Sequence, residues 1–209
     1  MHRTRIKICG ITRAIDLDIA LRAGVDALGF VFYPPSPRAL SLELAADLVR
    51  RVPPFVTRVG LFVNAEPASV RETLAVVPVD LLQFHGEEDA KYCEQFGLPY
   101  LKAARVRPEL DLLEFARAYP SAQGLLVDAW VEAYGGVGQS FDWTLIPQEL
   151  PLPLVLSGGL HADNVAEAVA KIRPWAVDVS SGVEVAKGIK DADKIAAFVA
   201  AVRTENSSR

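Results

Sequence analysis

Cysteine is scarce in this chain of 209 residues, and so are the spacings that build metal sites. Two cysteines, Cys9 and Cys93, are too few for a disulfide framework. No Cys-x-x-Cys or His-Glu-x-x-His spacing occurs, and the three histidines are scattered, so neither a metal nor a cofactor is expected. Long apolar runs are missing as well: nothing approaches a membrane span, and the opening MHRTRIKICGI lacks the apolar stretch of a secretion signal. No run of Lys and Arg appears, and the formal net charge of −4 argues against a nucleic-acid surface. What remains is a cytoplasmic globular protein with reduced thiols, free to act on a small molecule. Its 51% hydrophobic content supports one substantial core.

What is present is alternation. Eight nearly continuous apolar runs are RIKICG (5–10), ALGFVF (27–32), RVGLFV (58–63), LLQFHG (81–86), YLKAARV (100–106), GLLVDA (124–129), LPLVLSGG (152–159) and AVDVSSG (176–182). Such runs suit parallel strands covered on both faces. Between them, AIDLDIALRAG sets Ile15, Ile19 and Leu21 among polar residues and stops at Gly24. SLELAADLVRRV starts at the N-cap candidate Ser41 and offers Leu44, Leu48 and Val52 to a core. DNVAEAVAKI stops before Pro174, whereas the fourth and sixth connections lack a clean helical pattern. Eight strand–helix units in this length predict an α/β fold, a (β/α)8 TIM barrel. The competing doubly wound sheet rarely reaches eight units without a topological break. One barrel domain over 1–203 and a flexible tail over 204–209 are expected.

In a TIM barrel the reactive groups stand where strands end and loops begin. The sequence puts Cys9, Gln83, His85, Asp128 and Asp178 at those places, together with two glycine-bearing turns. In these turns Ser157, Gly158, Gly159, Ser181 and Gly182 would leave backbone N–H groups uncovered for a phosphate. Strands 6, 7, 8 and 1 are consecutive around a closed barrel, so Asp128 and Cys9 would flank that phosphate as an acid–base pair. Plain packing is the alternative for Cys9 and His85, and is the assignment for Cys93. Asp178, inside an apolar strand, needs either a basic partner such as Lys102 or ligand hydroxyls. Arg38 follows Pro34, Pro35 and Pro37, which stiffen its approach. Its loop is expected across the mouth from loops 7 and 8, where it would meet a second anionic group. Gly10 would let the substrate come close to the thiol, and the apolar residues Phe55 and Tyr33 would permit a homodimer.

Seven segments resemble, in order and over nearly the whole chain, the signatures of the phosphoribosylanthranilate isomerase family of tryptophan biosynthesis. They are KICGIT (7–12), GFVFYPPSPR (29–38), VGLFVN (59–64), QFHGEE (83–88), YGGVGQSFDW (134–143), LSGGL (156–160) and VDVSSGVE (177–184). The resemblance implies a cofactor-free Amadori rearrangement of N-(5-phosphoribosyl)anthranilate to 1-(o-carboxyphenylamino)-1-deoxyribulose 5-phosphate. It makes Cys9 the general base and Asp128 the general acid, sets Arg38 on the anthranilate carboxylate, and gives the phosphate to Gly158, Gly159, Ser181 and Gly182. Gln83, His85 and Asp178 join the substrate-binding set. Ala39 stands where the family often has an aromatic residue, and Gln139 where it often has a lysine. Two rivals remain. The related histidine-pathway aldose–ketose isomerase carries an aspartate where Cys9 stands, and a non-catalytic phosphometabolite-binding barrel would have lost Cys9 or Asp128. At pH 7, ordinary pKa values of about 8.5 and 3.9 would leave about 3% thiolate and roughly 0.1% protonated carboxyl, a joint penalty of about 6 kcal/mol. A raised Asp128 pKa, a lowered Cys9 pKa, or both are therefore expected.

Overall fold

The computed structural model describes residues 3–129 and 142–207. Eight parallel strands close into a barrel in chain order: β1 (Arg5–Cys9), β2 (Ala27–Val31), β3 (Thr57–Phe62), β4 (Leu81–Phe84), β5 (Tyr100–Val106), β6 (Gly124–Ala129), β7 (Leu154–Leu156) and β8 (Ala176–Val179). Each falls inside the apolar run that predicted it, save that β3 starts one residue earlier; β4, β7 and β8 end two or three residues before their runs do. The helices are α1 (Ala14–Ala23), α2 (Leu42–Arg50), α3 (Pro67–Val76), α4 (Ala90–Glu94), α5 (Leu112–Arg117), α6 (Ala162–Ile172) and α7 (Ala192–Ser207). Between β6 and β7 the described chain has a 3-10 turn at Trp143–Leu145; residues 134–141 of YGGVGQSFDW, Gln139 among them, lie outside the described residues. Among the described residues no helix is long and apolar enough to cross a membrane.

Two short strands were not anticipated. After a 3-10 turn at Ser181–Val183, β9 (Glu184–Ala186) and β10 (Ile189–Lys190) form an antiparallel hairpin. It carries Glu184 and Lys190 into the barrel mouth, as described below.

Strand alternation divides the side chains between two cores. Leu101, Ala103, Leu126, Val155 and Ala176, with Leu81, plug the barrel from inside. Ile6, Ile8, Leu28, Phe30, Leu82 and Phe84 face the opposite way, into the larger core shared with the helices. The same alternation aims Lys7, Cys9, Gln83, Asp128 and Asp178 inward. Lys102 lies between Leu101 and Ala103 on β5, so it points outward; there its ammonium donates to Gly86 O at 2.5 Å and Glu88 Oε2 at 2.9 Å.

Two helices are rotated relative to the sequence expectation. In α1 the buried face is Asp16, Leu17 and Ala20, and Ile15 is 59% exposed. The phase is set by Asp16, which accepts from Arg13 Nε at 2.9 Å and from the Lys190 backbone N–H at 3.2 Å. Ser41 does cap α2, accepting the Leu44 N–H at 3.3 Å, and Leu48 and Val52 are buried. Leu44 is 44% exposed, because Ala45, Leu48, Val49 and Val52 already complete the i, i+3, i+4, i+7 stripe.

The boundary at 203 is corrected too. Helix α7 runs on through Ser207, and Asn206 joins it to the start of the barrel. The Thr4 N–H donates to Asn206 Oδ1 at 2.8 Å, and Asn206 Nδ2 donates to Thr4 O at 3.1 Å. A polar composition suggested a tail, yet one asparagine satisfies both polar groups of a backbone unit beside β1. Asn206→Ala is expected to cost about 1–3 kcal/mol of unfolding free energy, measured by urea denaturation, since two part-buried hydrogen bonds are lost.

Candidate active site

One cavity opens at the C-terminal ends of the barrel strands. Cys9, Arg38, Gln83, His85, Asp128, Gly158, Gly159, Asp178 and Ser181 all line it; Gly182 is not among its lining residues and sits against the Leu160 carbonyl. The strand-end argument therefore brings together every residue it named except Gly182. The wall opposite the glycine turns is apolar: Val31, Leu61 and Val63 cluster with Cys9, and Tyr33 packs against them. That wall offers a bed for an aromatic ring without a side chain at Ala39. Its signal in the sequence was the inward parity of Val31 and Leu61. Among the described residues no cluster of His, Cys, Asp or Glu could hold a metal ion.

Asp128 ends β6 with its carboxylate fixed from two sides. Oδ1 accepts the Ala129 N–H at 2.8 Å, and Oδ2 lies 3.2 Å from His85 Nε2. The other ring nitrogen of His85, Nδ1, lies 3.1 Å from the Gln83 amide Nε2, while Gln83 Oε1 is buried without a hydrogen-bond partner among the described residues. Gln83, His85 and Asp128 thus form a chain that no linear motif announces. Gly158 (φ 86°) closes over it: a Cβ there would sit 2.6 Å from Ala129 N and 2.8 Å from Asp128 Oδ1.

Arg38 is buried but not idle. Nε and Nη2 donate to Glu184 Oε1 and Oε2 at 2.8 and 2.7 Å, a bidentate pair that sets the guanidinium's plane. Burial pushes Glu184 up, but Arg38 and Lys190 outweigh it and hold its carboxyl below the ordinary range. The loop after β2 therefore leans onto the loop after β8, its neighbour but one around the barrel, rather than standing across the mouth. Gly10 (φ 75°) makes this possible, since a Cβ there would collide with Arg38 Cδ; its open space admits the arginine, not the substrate.

Cys9 is 6% exposed at the end of β1. Lys7, two residues earlier, faces the same way and stands in direct register with Asp178 on β8; its Nζ donates to Asp178 Oδ1 at 2.8 Å. Asp178 thus pairs with Lys7 and not with Lys102, which points to the other side of the sheet. Burial pushes the Cys9 thiol up, against the pull of Lys7. The sequence leads to a raised Asp128 value, a lowered Cys9 value or both; how completely the strand end around Cys9 is desolvated is not legible in one dimension.

The turns after β7 and β8 lie side by side, and a Cβ on Gly182 would collide with the Leu160 carbonyl. Among the described residues nothing accepts from the N–H groups of Gly158 and Gly159. Ser157 does not share this freedom, because its N–H donates to Val127 O at 2.8 Å. Helix α6 starts beside the turn, where Asn164 accepts the His161 N–H at 2.8 Å and donates to Gly159 O at 2.9 Å.

A thiol and a carboxyl share the cavity of a (β/α)8 barrel with glycine N–H groups that meet no acceptor among the described residues, a set of groups suited to acid–base chemistry on a small molecule. Comparison with known proteins gives the family. The family model described as N-(5'-phosphoribosyl)anthranilate (PRA) isomerase matches residues 6–201. The N-(5'-phosphoribosyl)anthranilate isomerase of Dechloromonas aromatica is 65% identical over 206 residues, covering 99% of both chains. A phosphoribosyl anthranilate isomerase crystallised with reduced 1-(o-carboxyphenylamino)-1-deoxyribulose 5-phosphate superposes with a TM-score of 0.86 at 40% identity, over 96% of this chain and 99% of the other. Monomers made from the dimeric enzyme of Thermotoga maritima give 0.86 at 38%, over 96% and 99%. The chain belongs to the N-(5'-phosphoribosyl)anthranilate isomerase family.

Proposed function

We propose that this cavity isomerises N-(5-phosphoribosyl)anthranilate to 1-(o-carboxyphenylamino)-1-deoxyribulose 5-phosphate, a step of tryptophan biosynthesis, with Cys9 as base and Asp128 as acid. The observation that carries the assignment of roles is that both groups line one cavity between the free N–H groups of Gly158 and Gly159 and an apolar wall. The phosphate would take the glycine N–H groups with Ser181 and Gly182. The aromatic ring would rest on Val31, Leu61 and Val63, with its carboxylate toward the Arg38 nitrogen that Glu184 leaves free, Nη1.

Asp128 gives its proton to the furanose ring oxygen as the C1′–O bond breaks, leaving an iminium at C1′. That cation acidifies C2′, and the Cys9 thiolate takes the C2′ proton; the freed electron pair forms the enolamine, which tautomerises to the ketone. Asp128 must therefore begin protonated. Turning the Gln83 amide so that its orphaned Oε1 accepts Nδ1–H leaves His85 Nε2 bare to accept a hydrogen bond from the Asp128 O–H. A base that must stay a free thiol also suits a reducing, cytoplasmic setting. The test is loss of anthranilate-type fluorescence from phosphoribosylanthranilate on adding the purified chain. Binding of substrate without turnover would leave the phosphometabolite-binding reading standing.

A second copy of this chain is the proposed partner. Phe55 is fully exposed and held at φ 71° beside Pro53 and Pro54, a costly way to present an aromatic ring to water. The Thermotoga maritima relative is dimeric. Sedimentation of the wild type should show a dimer that Phe55→Asp dissociates; a wild-type monomer would remove the proposal.

A further inference from the structure

We propose that Lys7 holds the Cys9 thiolate, acting as the positioning residue of the base, and that Asp178 serves to hold Lys7. The inference deepens the assignment of Cys9 as base and rests on it. Lys7 and Cys9 share one face of β1, and Gly29 is the residue in register with Cys9 on β2. A Cβ on Gly29 would lie 2.7 Å from Cys9 Sγ and 3.1 Å from Lys7 Nζ, so thiol and ammonium converge on the one small space a glycine leaves. Lys7 is 4% exposed and Asp178 5%, so neither has water as an alternative partner of any consequence.

The charged groups around Cys9 single out Lys7. They are Lys7 on β1, Asp178 on β8, Glu184 on β9, Lys190 on β10 and Arg38 from the loop after β2, with His85 and Asp128 farther along the cavity wall. Near the sulfur, three cations face two carboxylates, and a thiolate balances the remaining charge. Two of the cations are already committed. Lys190 Nζ donates to Ser180 O at 3.1 Å, Ser180 Oγ at 3.3 Å and Glu184 Oε1 at 2.9 Å, which uses its three protons. Arg38 is clamped in the plane of Glu184. Lys7 gives Asp178 one hydrogen bond and keeps donors for sulfur. Burial, and behind it the Asp178 carboxylate, push the thiol up, and Lys7 is the largest influence in the opposite direction.

A purely structural Lys7 would stitch β1 to β8 and leave the thiol's titration alone, and alkylation separates the two roles. The pH midpoint for iodoacetamide modification of Cys9 is measured in the full-length wild type, Lys7→Arg, Lys7→Met and Lys7→Met/Asp178→Asn, with Cys9→Ala as the blank for Cys93. Removing Lys7 is expected to raise the midpoint by about one unit or more, a loss of about tenfold in alkylation rate at pH 8. Lys7→Arg should keep the wild-type midpoint, and kcat in Lys7→Met should fall more than KM rises. Lys7→Met strands the Asp178 carboxylate; if that variant does not fold, the double variant, which strands no charge, is read against Asp178→Asn alone, since Asp178 itself pushes the thiol up. A midpoint unchanged in the folded variants overturns the proposal. The readout needs no turnover, so it is independent of whether Cys9→Ala abolishes activity, which tests the base itself.

Discussion

Cys9→Ala is expected to lower kcat for phosphoribosylanthranilate by about 10²–10⁴-fold, the range a general base supplies. The Kd of the reduced product analogue should stay within about threefold of wild type. The separation follows from what the thiol touches. It packs beside Val31, Leu61 and Val63, but the Arg38–Glu184 clamp and the Gly158 and Gly159 N–H groups do not depend on it. The pH dependence has a definite sign. A base works deprotonated, so activity rises with pH until the thiol is ionised. Burial pushes the Cys9 thiol up, so the limb of kcat/KM that reports the thiol should lie above the ordinary thiol value of about 8.5. Fluorescence assays across pH 6–10 read this directly, and Cys9→Ala should remove the limb with the activity. A variant retaining wild-type turnover would make Cys9 packing after all. Asp178 would then be a poor replacement, because its carboxylate is tied to Lys7 within a wall of the same cavity.

The barrel and most of its mouth could be read from the chain because both depend on periodicities that survive in one dimension. Eight apolar runs predicted eight strands, and closure then put Cys9 and Asp128 in one cavity although 119 residues separate them in sequence. What escaped depends on partners that no period encodes. The partner of Asp178 followed from strand parity: Lys102 faces outward while Lys7, in register, faces inward. Parity was available in RIKICG, where Lys7 and Cys9 are two apart, but an isolated lysine in an apolar run carried no flag. Glu184 and Lys190 escaped because VEVAKGIK was not recognised as a hairpin; its glycine, Gly188 (φ 79°), was the available turn signal. Leu44 and Ile15 failed for a common reason: small alanines and a buried aspartate, not the largest apolar side chains, set the inner faces of α1 and α2.

Asp128→Asn should also lower kcat by about 10²–10⁴-fold, with little change in binding of the product analogue. Asparagine has nearly the shape of aspartate, so Oδ1 can go on accepting the Ala129 N–H and the space under Gly158 stays filled. An amide can donate a hydrogen bond to the furanose ring oxygen, but it cannot surrender a proton as the C1′–O bond breaks. Ground-state contacts survive and the transition state loses its acid, the pattern of a kcat effect rather than a KM effect. His85→Ala removes the ring that stands 3.2 Å from Asp128 Oδ2 and leaves the carboxyl held from one side only. It should lower kcat more than it weakens binding of the product analogue, because a misplaced acid is felt in the transition state; an equal loss in both would make the ring a binding group and not a positioner of the acid.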